Sequence, residues 1–114
     1  MRHQALMIRR FDPADADRIA AIFASHDQSN LPRQIGVQRR TLFQLEDLYL
    51  HLVESDVDFL ANLHSARNHP LFQQIDSQLA PLLAGYSPAT ATMGSSAAQP
   101  FYRWSADAVT AVNR

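Results

Sequence analysis

The chain has 114 residues, a formal net charge of −1, ten basic residues that are all arginine, and no cysteine. That length suits one domain with a single core. The near-neutral charge offers no electrostatic footprint for nucleic acid, and the missing cysteines exclude disulfides, thiolate nucleophiles and cysteine-held zinc.

The N-terminal apolar run is too short for a signal peptide or a membrane span, so a cytoplasmic protein with no membrane contact is expected. Ala5–Ile8, flanked by arginines, predicts a first strand. Asp12-Pro13 then opens a helix, with Asp12 as cap, Pro13 in the first turn, and Asp15 and Asp17 suiting the helix dipole. Ile19, Ile22 and Phe23 form its apolar stripe. The helix should stop near Ser25-His26-Asp27, because Ser29-Asn30-Leu31-Pro32 reads as loop.

Two apolar-rich runs, 37–45 and 48–53, meet at Glu46-Asp47 and predict a hairpin. With a two-residue turn, Leu45 faces Leu48, Phe43 faces Leu50, Leu42 faces His51 and Arg40 faces Val53. Strand alternation then puts Thr41, Phe43, Leu45, Leu48, Leu50 and Leu52 on one side. Arg40, Leu42, Gln44, Tyr49, His51 and Val53 fall on the other. If that second side is covered, Arg40 needs an acidic partner or a ligand, because a buried unpaired guanidinium is too costly.

A second helix is expected after Ser55, with Asp56 and Asp58 in its first turn and Phe59, Leu60 and Leu63 as its apolar face. His69 precedes a proline and breaks that helix. A third starts at Pro70, carries Leu71, Phe72, Ile75, Leu79, Leu82 and Leu83 at helical spacing, and ends at Gly85, with a kink or early end at Pro81. Residues 87–99 read as a loop or lid, and Gln99–Ser105 as a last aromatic strand. One domain over residues 1–106 and a tail over 107–114 follow. The order β-α-β-β-α-β implies an α+β, ferredoxin-like fold with a four-stranded antiparallel sheet and helices on one face. The bare apolar face predicts a homodimer in which two sheets cover each other as an α+β barrel.

Five histidines occur: His3, His26, His51, His64 and His69. If the end of the first helix folds over the sheet, Asp27 can reach His51 or Arg40. A carboxylate-held imidazole beside a guanidinium is a workable acid/base site; the plain alternative is a solvated helix end beside a strand histidine. Tyr49, Leu42, Val53, Trp104 and His69 are the candidate substrate-contacting residues, although His69-Pro70 also reads as helix punctuation. No His-x-x-His or Glu-x-x-His spacing suggests a metal, and isolated glycines form no phosphate loop, so no metal or cofactor is expected.

Several stretches together resemble the small aromatic polyketide cyclases of the tetracenomycin F2 cyclase type. They are Arg2-x-x-Ala5-Leu6-Met7, Asp12-Pro13-Ala14-Asp15-Ala16, Ser25-His26-Asp27 with Leu31-Pro32, and Ile35-Gly36-Val37 leading to Arg39-Arg40-x-Leu42-Phe43. Asp47–Glu54, Ala66-Arg67-x-His69-Pro70-Leu71-Phe72 and Phe101-Tyr102-x-Trp104 complete the set. The resemblance implies a cofactor-free homodimer that closes a ring of a poly-β-ketone by aldol condensation, dehydration and aromatisation. It puts pocket residues at His26, Asp27, Arg40 and His51. In that reading His51, oriented by Asp27, is the base, Arg40 polarises the attacked carbonyl, and His26 is a second acid. The polyketide intermediate and synthase components are the expected partners. A cofactor-free monooxygenase acting on an anthrone-like polyketide, and a non-catalytic polyketide-binding partner of the synthase, are the alternatives.

Overall fold

Alternation in the central hairpin decides the layout. The computed structural model describes residues 3–88 and 96–106. Strands β1 (His3–Phe11), β2 (Arg39–Leu45), β3 (Leu48–Ser55) and β4 (Leu83–Gly85) form one sheet in the order β2-β3-β1-β4, with every pairing antiparallel. Helices α1 (Ala16–Asp27), α2 (Leu31–Ile35), α3 (Leu60–Ala66) and α4 (Pro70–Leu79) complete the ferredoxin-like arrangement. Among the described residues no helix is long and apolar enough to cross a membrane.

The hairpin has the register that a two-residue turn dictates: Leu45 pairs with Leu48, Phe43 with Leu50, Leu42 with His51 and Arg40 with Val53. Glu46 takes the left-handed conformation, φ 53°, a sparsely populated region for a residue with a Cβ. The tip is held from outside. Arg10 Nη1 donates to both carboxylate oxygens of Asp47, at 3.1 and 2.9 Å, and the Phe11 N–H donates to the Asp47 carbonyl at 2.9 Å.

Along β3, Tyr49, His51, Val53 and Ser55 are buried, while Leu48, Leu50 and Leu52 are only half-buried. The buried set lies under the helices in two clusters. Ile19 and Phe23 of α1 and Ile75 and Leu79 of α4 pack with Tyr49, Phe11 and Leu83. Leu31 and Ile35 of α2 pack with Phe59 and Val53, with Leu63 against them; the side chain of Leu60 lies outside what is described. The opposite face stays bare, with Phe43 50% and Leu45 64% exposed.

The start of the first helical segment follows expectation: Asp12 accepts a hydrogen bond from the Ala14 N–H at 3.0 Å, and a 3-10 turn over Pro13–Asp15 leads into α1. Elsewhere the structure departs from the sequence reading. The first strand extends to nine residues, since His3, Gln4, Arg9 and Arg10 also pair with β3. Residues 31–35 are the short helix α2, with Pro32 in its first turn, where the missing N–H costs nothing. Ser55 does not cap a helix: it ends β3, and its hydroxyl donates to the Gly36 carbonyl and accepts from the Val57 N–H. The second helix therefore begins at Leu60, not beside Asp56 and Asp58.

The fourth strand is Leu83–Gly85, not Gln99–Ser105. Pro81 ends the helical pattern early, and Leu83 then pairs with Phe11. Segment 99–105 is not a strand: Phe101 is 100% and Trp104 69% exposed. Just before it, Ala97 bridges to Met7 and the Ala98 N–H reaches the Leu6 carbonyl at 2.7 Å. The expected α+β barrel does not form. The sheet is open, with β2 and β4 as its edges, and four strands are too few to close on themselves. Most of the 87–99 loop and the 107–114 tail lie outside the described residues.

Gly36 ends α2 at φ 105°, and a Cβ there would stand 2.7 Å from Val57 Cγ2. Gly36→Ala is expected to destabilise the fold by about 1–3 kcal/mol, through backbone strain and that clash. Urea unfolding should show a lower midpoint with an unchanged slope.

Candidate active site

Arg40 on β2 and His51 on β3 are diagonal neighbours on the helix-covered face, because Arg40 pairs with Val53 and Leu42 with His51. Diagonal positions on paired strands stand about 7–8 Å apart, within reach of a long side chain. Arg40 Nη1 approaches His51 Nε2 to 2.9 Å. Arginine has only donors, so the imidazole accepts through Nε2, and its ring proton sits on Nδ1.

The carboxylate comes from the last residue of α1. Asp27 accepts from Arg40 Nε at 3.0 Å and from Arg40 Nη2 at 2.8 Å, a two-point grip. An acid at a helix C-terminus faces the negative end of the dipole, so Asp27 depends on this guanidinium. Arg40 also lies over the Phe23 ring, 4.7 Å from its centroid. The same ring tilts against His51 at 5.0 Å between centroids, and Tyr49 meets His51 edge-on at 6.1 Å.

Burial, and then the adjacent Arg40 charge, push the His51 imidazole down to about 3, so it is neutral near pH 7. Burial likewise lowers His26, with repulsion by Arg40 next and attraction by Asp27 opposing both. Burial raises the Tyr49 phenol well above its usual value, so it remains protonated. Three of the five Arg40 N–H groups are engaged with Asp27 and His51. The remaining two can point at an oxygen that gains negative charge.

The structure thus brings together Arg40, Asp27 and His51, with His26 close enough to feel both charges. The orienting contact differs from expectation, because Asp27 grips Arg40 and Arg40 in turn meets His51. Tyr49 and Leu42 lie in the cluster around Phe23, whereas Val53 belongs to the other core cluster. His69 caps α4, its Nδ1 accepting from the Leu71 N–H at 3.1 Å. Trp104 projects from the segment after the sheet, with no ring contact among the described residues. In the sequence Phe23 stands out only as part of a helix stripe. Its place four residues before Asp27 puts both on one helix face, a spacing that pointed to the pair. Arg9, read only as a strand flank, faces the helices opposite Tyr49 and donates from Nη2 to the Leu83 carbonyl at 3.4 Å.

A groove of about 350 Å³ runs between α1 and α4 and is lined by His26, Arg18, Ile22, Gln74, Ile75 and Gln78 among others. His26 therefore joins the charged cluster to open space. Among the described residues no three His, Asp or Glu side chains converge as a metal ion requires.

Polyketide synthesis cyclases, as a family, match residues 3–105. The chain belongs to that family. Tetracenomycin F2 cyclase of Streptomyces glaucescens is 46% identical over 106 residues, covering 93% of this chain and 97% of the relative. Its solved structure, a type-II polyketide cyclase, superposes with a TM-score of 0.84 over 91% of this chain and 98% of that one. The polyketide synthase CurG of Streptomyces cyaneus is 32% identical over 106 residues, covering 92% and 99%. A putative antibiotic biosynthesis monooxygenase from Caulobacter crescentus shares the fold at 16% identity, with a TM-score of 0.57 over 74% and 80% of the two chains.

The lowered His51 value has a consequence for stability. The unfolded imidazole binds a proton near pH 6.5, while the folded one resists until about 3. Between those values the unfolded state holds more protons, so stability falls as pH falls, by up to about 1.4 kcal/mol per unit. His51→Gln, which can still accept from Arg40, is expected to flatten this slope in urea titrations between pH 7 and 4.5.

Proposed function

We propose that this protein is a cofactor-free cyclase of aromatic polyketide biosynthesis, closing a ring of a poly-β-ketone by aldol condensation and loss of water. The observation that carries the reading is the Asp27–Arg40–His51 chain of contacts, in a family whose relatives include a polyketide cyclase. A carbon between two carbonyls is acidic enough for a neutral imidazole to deprotonate, and holding it against the right carbonyl supplies much of the acceleration.

His26 is the better proton carrier. It borders open space and is only half-buried, whereas the His51 Nε2 lone pair is already engaged by Arg40. His26 takes the proton, the enolate carbon attacks the carbonyl carbon, and the new alkoxide oxygen lies against the free N–H groups of Arg40. The imidazolium returns its proton to that oxygen. His26 then takes a second proton, from the adjacent carbon, and delivers it to the departing hydroxyl, which leaves as water, and the ring aromatises by enolisation of its remaining ketones. Asp27 and His51 hold the guanidinium in place; Tyr49 and Leu42 wall the site, and Val53, Trp104 and His69 remain candidate substrate contacts.

The protein acts as a homodimer in the cytoplasm, beside the synthase components that supply its substrate. The bare sheet face, with Leu6, Ile8, Leu48, Leu50 and Leu52 around Phe43 and Leu45, supports the dimer, since so broad an apolar patch needs cover. Phe43→Arg is expected to halve the mass seen by sedimentation equilibrium while leaving the fold intact; an unchanged mass overturns this assignment.

Purified protein with a partly cyclised poly-β-ketone, followed by mass spectrometry, tests the reaction. Arg40→Gln and His26→Ala are each expected to lower the enzyme-dependent rate by about 10²-fold or more and to return products to the spontaneous mixture. Wild-type rates in both variants remove these residues from the mechanism. Stoichiometric oxygen uptake would instead mark a monooxygenase, and binding without conversion a carrier.

A further inference from the structure

We propose that the groove between α1 and α4 is the bay that holds the far end of the poly-β-ketone, with the side-chain amides of Gln74 and Gln78 as its specificity-determining donors. This rests on the cyclase reading and extends it to the part of the substrate that does not react. The groove meets the chemistry at one residue, His26, which is one of its walls.

Its construction suits a flat ligand carrying a row of carbonyls. Ile22 and buried Ile75 supply apolar surface. Gln74 and Gln78 stand on one face of α4, exposed, and neither amide has a hydrogen-bond partner among the described residues. Four residues of helix rise about 6 Å. In an extended poly-ketone, alternate carbonyls recur at roughly 5 Å from ordinary carbon–carbon geometry. Two flexible amides at this spacing can therefore donate to two carbonyls two units apart. On α1, Arg18 adds a third donor at the groove's edge, with no carboxylate partner among the described residues.

The test compares the wild type with Gln74→Leu, Gln78→Leu and the double variant. Two substrates are used: a poly-ketone long enough to extend past His26, and one truncated before that point. For the long substrate the double variant should raise KM about 10-fold, as expected for two lost hydrogen bonds. For the truncated one KM should already be high in the wild type, with less than a further twofold rise. Equal KM for the long substrate in wild type and double variant, or the same rise for both substrates, overturns the bay. Fluorescence titration with an unreactive polyhydroxylated anthraquinone separates the two ideas. Loss of affinity in the double variant without any turnover by the wild type leaves the bay standing and removes the cyclase. Turnover with affinity and KM unaltered does the reverse.

Discussion

A guanidinium inside a protein is tolerated only when its charge is answered, and Arg40 imposes that condition here. It sits on an edge strand but points under the helices, so its carboxylate must arrive from above. The last residue of α1 supplies it. That contact fastens the helical layer to the hairpin at one point, and the same guanidinium fixes the imidazole of the next strand. Asp27 lies at the unfavourable end of a helix and His51 is buried, so each is costly alone. Together they are compatible, because one arginine serves both.

The hairpin was readable because side chains in a strand alternate with a period of two. With Glu46-Asp47 as the turn, the partners of Arg40, Leu42 and Phe43 follow without any knowledge of the helices. The need of Arg40 for an acid was equally plain, and Asp27 could reach it if the end of the first helix folded over the sheet. Which of the two basic groups Asp27 would grip was not readable. That depends on how far α1 advances over the sheet, which is set by packing of Ile19 and Phe23 rather than by any local signal.

The edge of the sheet was harder. Leu83–Gly85 is three residues long, too short to display alternation, and Leu82 and Leu83 continue the helical spacing of α4. Only Pro81 hinted that the helix stops. Pro100–Trp104, by contrast, has the composition of a strand but shows little burial in this chain. Ser55 misled for a related reason: a serine before two acids is a common helix start, yet here its hydroxyl ties Gly36 to the end of β3. Side-chain chemistry pointed to a polar anchor, and tertiary context decided what was anchored.

The grip between Asp27 and Arg40 also constrains chain length, beyond residue identity. Each residue of an α-helix turns the chain by about 100°. Adding or removing one residue between Phe23 and Asp27 would swing the carboxylate off the sheet and strand the arginine beneath the helix. The final turn of α1 is thus a segment in which substitutions are absorbed more readily than insertions or deletions, so its length should be a steadier mark of a working site than most of the side chains it carries.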